Sequence, residues 1–222
     1  MIQHKFFSQI AVAATLLLGG LISVQAQTQA QNAMAPDELV RSISTGVLDE
    51  VKADRTLQSG NIERLNSLVE RRVMPHVNFS RMTALAVGRN WRAASTDQQK
   101  VLMTEFHRLL LLTYADALRQ VTDTTIQIKP VRARSDDDEI IVRTQVLRPG
   151  KEPIQLDYRL EKSGAGWKIF DLNVLGLWLV EHYRNQFAQV VTANGIDGLI
   201  KSLQEKNQNL ASMASSKKSA SN

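Results

Sequence analysis

No cysteine occurs anywhere in the 222 residues. That excludes disulfide cross-links, thiolate-held metals and a cysteine nucleophile, and leaves packing alone to hold the core. After His4 the only histidines are His76, His107 and His182, and none has a second histidine or a carboxylate at the spacing of an H-E-x-x-H pair. No metal centre is therefore expected. There is no P-loop and no G-x-G-x-x-G, so nothing supports nucleotide binding and no cofactor is expected. The G-x-S-x-G elbow of many hydrolases is also missing, and Ser163-Gly164-Ala165-Gly166 reads as a hairpin turn. Aromatic residues make up 5% of the chain and do not interleave with the arginines as a platform for stacked bases requires, so nucleic acid is not an expected partner.

Long apolar runs are missing too, with one exception at the N-terminus. Met1 to Gln9 carries Lys5 and no acid, Ile10 to Val24 is apolar, and Val24-Gln25-Ala26 offers aliphatic and small residues at a cleavage site. The alternative, a transmembrane anchor, needs about 20 apolar residues, and polar Gln-rich sequence follows at once. The expected plan is a cleaved signal peptide over 1–26, a flexible leader over 27–35, a single domain over 36–210 and a disordered tail over 211–222. A mature chain in the periplasm follows. With no cysteine to acylate, it is expected to be soluble. The net charge of +5 and pI near 9.6 suit an acidic partner such as anionic lipid, but are equally ordinary for exported bacterial proteins.

Within the domain, helical periodicity comes first. Pro36-Asp37-Glu38 opens a helix with Leu39, Val40, Ile43, Val47, Leu48 and Val51 on one face. Gly60-Asn61 caps a second helix, Ser80 is taken as the cap of a third that ends at Gly88, and Ser95 to Gln99 is a capping box for the longest, about Asp97 to Gln120. Four consecutive leucines, Leu109 to Leu112, predict burial of that helix on more than one side. From Thr124 the period becomes two, giving four strands at Thr125–Val131, Glu139–Leu147, Ile154–Leu160 and Trp167–Val174, joined by short turns that favour an antiparallel meander. Ile154, Leu156, Tyr158 and Leu160 alternate with Gln155, Asp157, Arg159 and Glu161, so that strand has one polar face. Final helices are expected from Gly176 to Thr192 and from Asp197 to Asn207. The fold class is α+β: a helical part over about 36–122, a curved four-stranded sheet over about 123–175, and C-terminal helices over about 176–209.

Three groups of residues are candidates for function. Asp157 and Asp171 lie on adjacent strands and could supply a general base, although strand aspartates in ion pairs look the same in sequence. The early helices are rich in arginine (Arg64, Arg71, Arg72, Arg81, Arg89 and Arg92) and form either a docking face or a solvated one. The apolar residues Leu109 to Leu112, Tyr114, Tyr158, Trp167, Trp178, Tyr183 and Phe187 converge if the long helices pack on the sheet, as a core or as the lining of a cavity.

Two blocks, Met74-Pro75-His76-Val77-Asn78-Phe79-Ser80-Arg81-Met82 and Val87-Gly88-Arg89-Asn90-Trp91-Arg92, resemble the signature of the MlaC family of toluene-tolerance, phospholipid-binding auxiliary proteins. Phe106 to Leu110, Thr113-Tyr114-Ala115, Trp167 to Leu172, Gly176 to Val180, Tyr183 to Phe187 and Gly198-Leu199-Ile200 are similar in the same order, over about Pro36 to Asn209. Two positions depart from the pattern: Trp178 replaces a small polar residue, and Asn78 the commoner aspartate.

The resemblance implies a sheet like that of nuclear transport factor 2 with an apolar cavity between sheet and helices. It also implies a monomeric, non-enzymatic periplasmic carrier of a diacyl phospholipid. The carrier would move its cargo between an outer-membrane lipoprotein complex and an inner-membrane ABC transporter bearing an MCE-domain protein, so maintaining outer-membrane asymmetry. The expected lipid-binding residues are Leu110, Tyr114, Val142, Val146, Leu156, Tyr158, Ile169, Trp178 and Tyr183, and the expected docking residues are Arg89 and Arg92. Two rivals remain: a small-molecule isomerase or hydrolase using Asp157 or Asp171, and a ligand-free adaptor with a filled core.

Overall fold

Alternation of apolar and polar residues along residues 139–174 builds the centre of the molecule. The computed structural model describes residues 34–119, 123–131, 134 and 136–220. The expected signal peptide and most of the leader lie outside the described residues. Five antiparallel strands form one curved sheet in sequence order: β1 (Thr125–Ile128), β2 (Glu139–Arg148), β3 (Lys151–Ser163), β4 (Gly166–Val174) and β5 (Leu177–Trp178). Register shifts near Val146/Arg148 and Arg159/Leu160 bend it.

The sequence predicts four strands and reads residues 176–178 as the start of a helix. The structure corrects this. Leu175 (φ 54) and Gly176 (φ 88) turn the chain back, so that Leu177 pairs with Val174 and Trp178 with Asn173 before the helix begins. Apolar character alone does not distinguish a two-residue edge strand from a first helical turn.

β3 is paired on both sides. Val142, Tyr158 and Leu172 lie opposite one another across β2, β3 and β4, and Thr144, Leu156 and Val174 do the same. Residues directly opposite share a face, so these make a continuous surface, whereas Asp157, Arg159, Asp171 and Asn173 occupy the other face.

The helices form where capping allows. α1 (Pro36–Ala53) has proline in its first turn and Asp37 and Glu38 against the helix dipole. α2 (Arg55–Gln58) is a single turn capped by Asp54. α3 (Ile62–Arg72) is capped by the Asn61 side chain, which accepts from the Arg64 amide at 2.8 Å. A 3₁₀ turn at Met74–His76 docks on β4, where the Asn78 amide donates to the Ile169 carbonyl at 2.8 Å.

α4 (Phe79–Val87) is capped by Asn78, not by Ser80 as the sequence suggested, and its first residue is Phe79. Asn78 satisfies the Arg81 amide just as an aspartate would. After a 3₁₀ segment at Gly88–Ala93 comes α5 (Thr96–Arg119). Its expected capping box is formed reciprocally: Ser95 N–H donates to Gln98 Oε1 at 2.9 Å, and Gln98 N–H to Ser95 Oγ at 3.2 Å.

α6 runs from Leu179 to Ala220 with a break at Gly195, whose φ is 69. The two expected helices are present and meet at this break. A loose tail was expected after residue 210, but the second helix runs on to Ala220, since alanine and lysine favour it; Ser212 Oγ there donates to the Gln208 carbonyl at 2.9 Å.

Three apolar clusters result. One joins α4, α5 and α6 through Met82, Phe106, Leu109, Tyr183, Phe187, Leu199 and Leu203. A second seats Leu39 and Val40 of α1 on Val142, Tyr158, Leu160 and Ile169 of the sheet. A third packs Leu111 and Ala115 of α5 with Val51, Leu57, Leu65 and Leu68. Adjacent leucines of α5 thus serve different clusters, as the four-leucine run implied. Phe106 is fully buried, with its ring centroid 5.0 Å from Tyr183, 5.4 Å from Phe187 and 5.7 Å from Phe79. Phe106→Ala is expected to cost about 3–5 kcal/mol, read as a lower urea midpoint; a loss below about 1 kcal/mol would show that this ring is not the anchor.

Candidate functional site

The structure distributes the expected lipid-binding residues over two apolar clusters. Val142, Leu156, Tyr158 and Ile169 share the apolar face of the sheet, partly under α1. The Tyr158 hydroxyl is bonded to Ser44 of α1 and to Thr144, and burial pushes its pKa up. Val146 continues the same face as a half-buried residue flanked in register by Ile126 and Ile154. Leu110 and Tyr114 of α5 are half-buried against the helical cluster that contains Tyr183. Leu172 and Val77 pack against both clusters, so the two meet there.

Trp178 departs from expectation. It is paired with Asn173, which is also paired with Asp157, and so falls on the face opposite Leu156 and Tyr158. The Arg159 guanidinium lies 3.8 Å from the centre of its ring. Sequence reasoning also passed over Leu172. Strict alternation from Ile169 would put Asp171 on the apolar face, but the bulge opposite Arg159/Leu160 restores Leu172 to that face. The adjacent apolar pair Ile169-Phe170 was the available clue to a bulge.

Polar groups near this surface are few. The buried Tyr183 hydroxyl has its pKa pushed up to about 12, chiefly by burial and then by neighbouring Tyr114, against a hydrogen bond to Thr113. Burial also raises that of Tyr114.

The two aspartates weighed as general bases are held elsewhere. Asp157 accepts from the Thr144 amide at 3.1 Å and from Gln155 Nε2 at 2.6 Å. Asp171 accepts from the Leu172 amide at 2.9 Å, the Val180 amide at 3.0 Å and Arg159 Nη1 at 3.0 Å, and burial raises its carboxyl above the usual range. Both are buried on the sheet face away from the apolar surface, with their acceptor sites engaged.

The arginines of the early helices divide in two. Arg64 pairs with Asp54 at 2.7 Å, Arg71 and Arg72 with Glu50, and Arg81 with Glu139 and Glu161. Arg89 and Arg92 are exposed and have no ion pair among the described residues. Exposed Arg184 of α6 joins them: its Nε donates to the Leu85 carbonyl at 2.9 Å, and its stem would lie 3.9 Å from a Cβ on Gly88. Nothing in the linear sequence marks Arg184 as their neighbour. The 3₁₀ segment that carries the other two is held by Gln99, whose Nε2 donates to the Trp91 and Ala94 carbonyls.

A curved antiparallel sheet whose apolar face is shared between one covering helix and a helical bundle defines the class of this α+β fold. The family model described as MlaC protein matches residues 41–205, and the chain belongs to the MlaC family. It is similar to the intermembrane phospholipid transport system binding protein MlaC of Haemophilus influenzae, 22% identical over 174 residues that cover 77% of this chain and 81% of that protein. It is also similar to the toluene tolerance protein ttg2D of Pseudomonas putida, 25% identical over 178 residues, or 80% and 79% of the two chains. Among solved structures, the phospholipid-binding protein from Ralstonia solanacearum, in complex with a phospholipid, superposes with a TM-score of 0.78. That match has 41% identity and covers 80% of this chain and 99% of the other.

Tyr183 gives a pH test of the helical side of the site. Its hydroxyl ionises near 10.0 when unperturbed and at about 12 in the fold. The stability it contributes is therefore complete below the first value and lost as pH rises toward the second. Urea unfolding across this window should show a decline that is shallower in Tyr183→Phe; identical declines would refute the assignment.

Proposed function

We propose that this chain is a periplasmic phospholipid-binding shuttle that holds the acyl chains between the apolar sheet face and the α5–α6 side, with the headgroup left in water. The observation that carries this reading is the 41% identity to a protein whose structure holds a phospholipid. The continuous apolar surface through Val142, Leu156, Tyr158 and Leu172 supports it. Two acyl chains expose roughly thirty methylenes, so their transfer into water would cost on the order of 20 kcal/mol. A carrier must replace that burial with its own apolar surface and needs no catalytic group. None of the described helices is long and apolar enough to cross a membrane, which accords with a carrier that travels.

The lining residues of this proposal are Leu110, Tyr114, Val142, Val146, Leu156, Tyr158, Ile169 and Tyr183. The chain acts as a monomeric, non-enzymatic component of an ABC-type lipid transport system. It docks in turn on an outer-membrane lipoprotein complex and on the MCE-domain protein of an inner-membrane transporter. Arg89 and Arg92, with Arg184 beside them, form the docking surface, because Arg64, Arg71, Arg72 and Arg81 are already neutralised within the chain.

Mass spectrometry of an organic extract from mature protein purified without detergent tests the reading. Roughly stoichiometric diacyl phospholipid is expected, and its reproducible absence from folded protein overturns the proposal. Val146→Asp or Leu156→Asp should lower the amount of co-purified lipid in folded protein; unchanged loading removes that residue from the lining. The double reversal Arg89→Glu, Arg92→Glu should weaken association with the MCE-domain protein in a salt-dependent way while leaving lipid content alone. Unaltered association would exclude this surface.

A further inference from the structure

The junction between the sheet and α6 contains a group of residues that neither the apolar surface nor the docking arginines account for. Asp171, on β4, is 1% exposed. One of its carboxylate oxygens accepts from the amide of Val180, the second residue of α6, at 3.0 Å and from the Leu172 amide at 2.9 Å. It therefore satisfies a helix-terminal N–H from outside the helix and sets negative charge against the helix dipole. The other oxygen accepts from Arg159 Nη1 of β3 at 3.0 Å. The same guanidinium lies over the Trp178 ring of β5, 3.8 Å from its centre.

Three strands and the start of α6 are thus joined through one side-chain stack. The connection it braces is short, since α6 begins at Leu179, directly after Trp178. The first turns of α6 carry Leu179, Val180 and Tyr183 into the cluster against which Leu110 and Tyr114 pack. The entry angle of α6 consequently sets how closely Tyr183 approaches Leu172 and Val174 of the sheet.

We infer that Trp178, Arg159 and Asp171 form a clasp that positions α6 over the lipid site and so governs how readily bound phospholipid leaves. The inference rests on the carrier reading. Asp171 holds the helix end, Arg159 orients the carboxylate, and Trp178 fixes the guanidinium by stacking on its face. None of the three touches the apolar surface; they act as positioning residues through α6. Trp178 supplies a ring face on which the Arg159 guanidinium stacks, which a small polar residue cannot offer.

The test measures release of a fluorescent diacyl phospholipid from purified, loaded protein to acceptor vesicles of phosphatidylethanolamine and phosphatidylglycerol. Trp178→Ser should release lipid roughly fivefold faster, the scale of a lost cation–π contact, while Trp178→Phe, which keeps a ring face, should restore the native rate. Arg159→Lys keeps the charge but loses the planar stack and should also release faster. Asn61→Ala, which removes the side-chain cap of α3 while leaving its apolar packing in place, serves as a variant of lowered stability and should release at the native rate.

Equal rates for Trp178→Ser and the native chain overturn the clasp, as does an Asn61→Ala variant that accelerates release in step with its loss of stability. If Trp178→Ser does not fold, Arg159→Lys decides on the same rate. Loaded protein with unaltered release in every variant overturns the clasp alone. A preparation that takes up no phospholipid overturns the carrier reading and the clasp with it.

Discussion

The register of β3 is the constraint on which the rest of the structure depends. This strand of 13 residues is hydrogen-bonded on both sides, so its alternation is imposed on β2 and β4 together. A slip of one residue would turn Leu156, Tyr158 and Leu160 outward and bring Asp157 and Arg159 under α1. The seat of α1, the position of the aspartates and the outward placement of Trp178 all follow from that pairing. Tyr158 adds a polar lock, since its hydroxyl reaches Ser44 on α1 and Thr144 on β2 and so fixes the helix against a particular pair of strands.

The helical half answers to a different demand. α5 faces two clusters at once: Leu109 is directed to one and Leu111 to the other. A helix committed on two sides has little freedom to rotate, which suits the proposed role of α5 as one wall of a lipid site. Leu172 and Val77, touching both the sheet-side and the helical clusters, are where the two clusters are joined. An apolar surface divided in this way can present half-buried residues such as Val146, Leu110 and Tyr114 without exposing a broad hydrophobic patch.

Much of this was legible in the sequence. Period-two alternation located β2, β3 and β4, and the Ser95–Gln98 capping box located the start of α5 to within a residue. What escaped has identifiable physical causes. β5 is only two residues long, below the reach of any periodicity. The bulge opposite Arg159/Leu160 breaks the alternation of β4, so Leu172 was hidden, and reading residues 176–178 as helix concealed the pairing of Trp178 with Asn173. Neutralisation of Arg64, Arg71, Arg72 and Arg81 depends on acids distant in sequence, and the approach of Arg184 to Leu85 and Gly88 depends on how α4 meets α6. Side-chain pairings of that kind are properties of the assembled fold and leave no local trace.

The break in α6 at Gly195 has a consequence for how this chain can vary in length. Residues on either side, Tyr183 and Phe187 before it and Leu199 and Leu203 after it, are buried in the same cluster. Nearby Gly198 must also lack a side chain, since a Cβ there would come within 2.2 Å of Asn194 Cβ. Each residue added to a helix rotates everything beyond it by about 100°. One insertion between Phe187 and Leu199 would therefore swing two core leucines toward solvent. The bend acts as a phase reference. Insertions and deletions among related chains should be excluded from that interval and gather instead in the β1–β2 connection and beyond Asn207, where none of the described residues is buried.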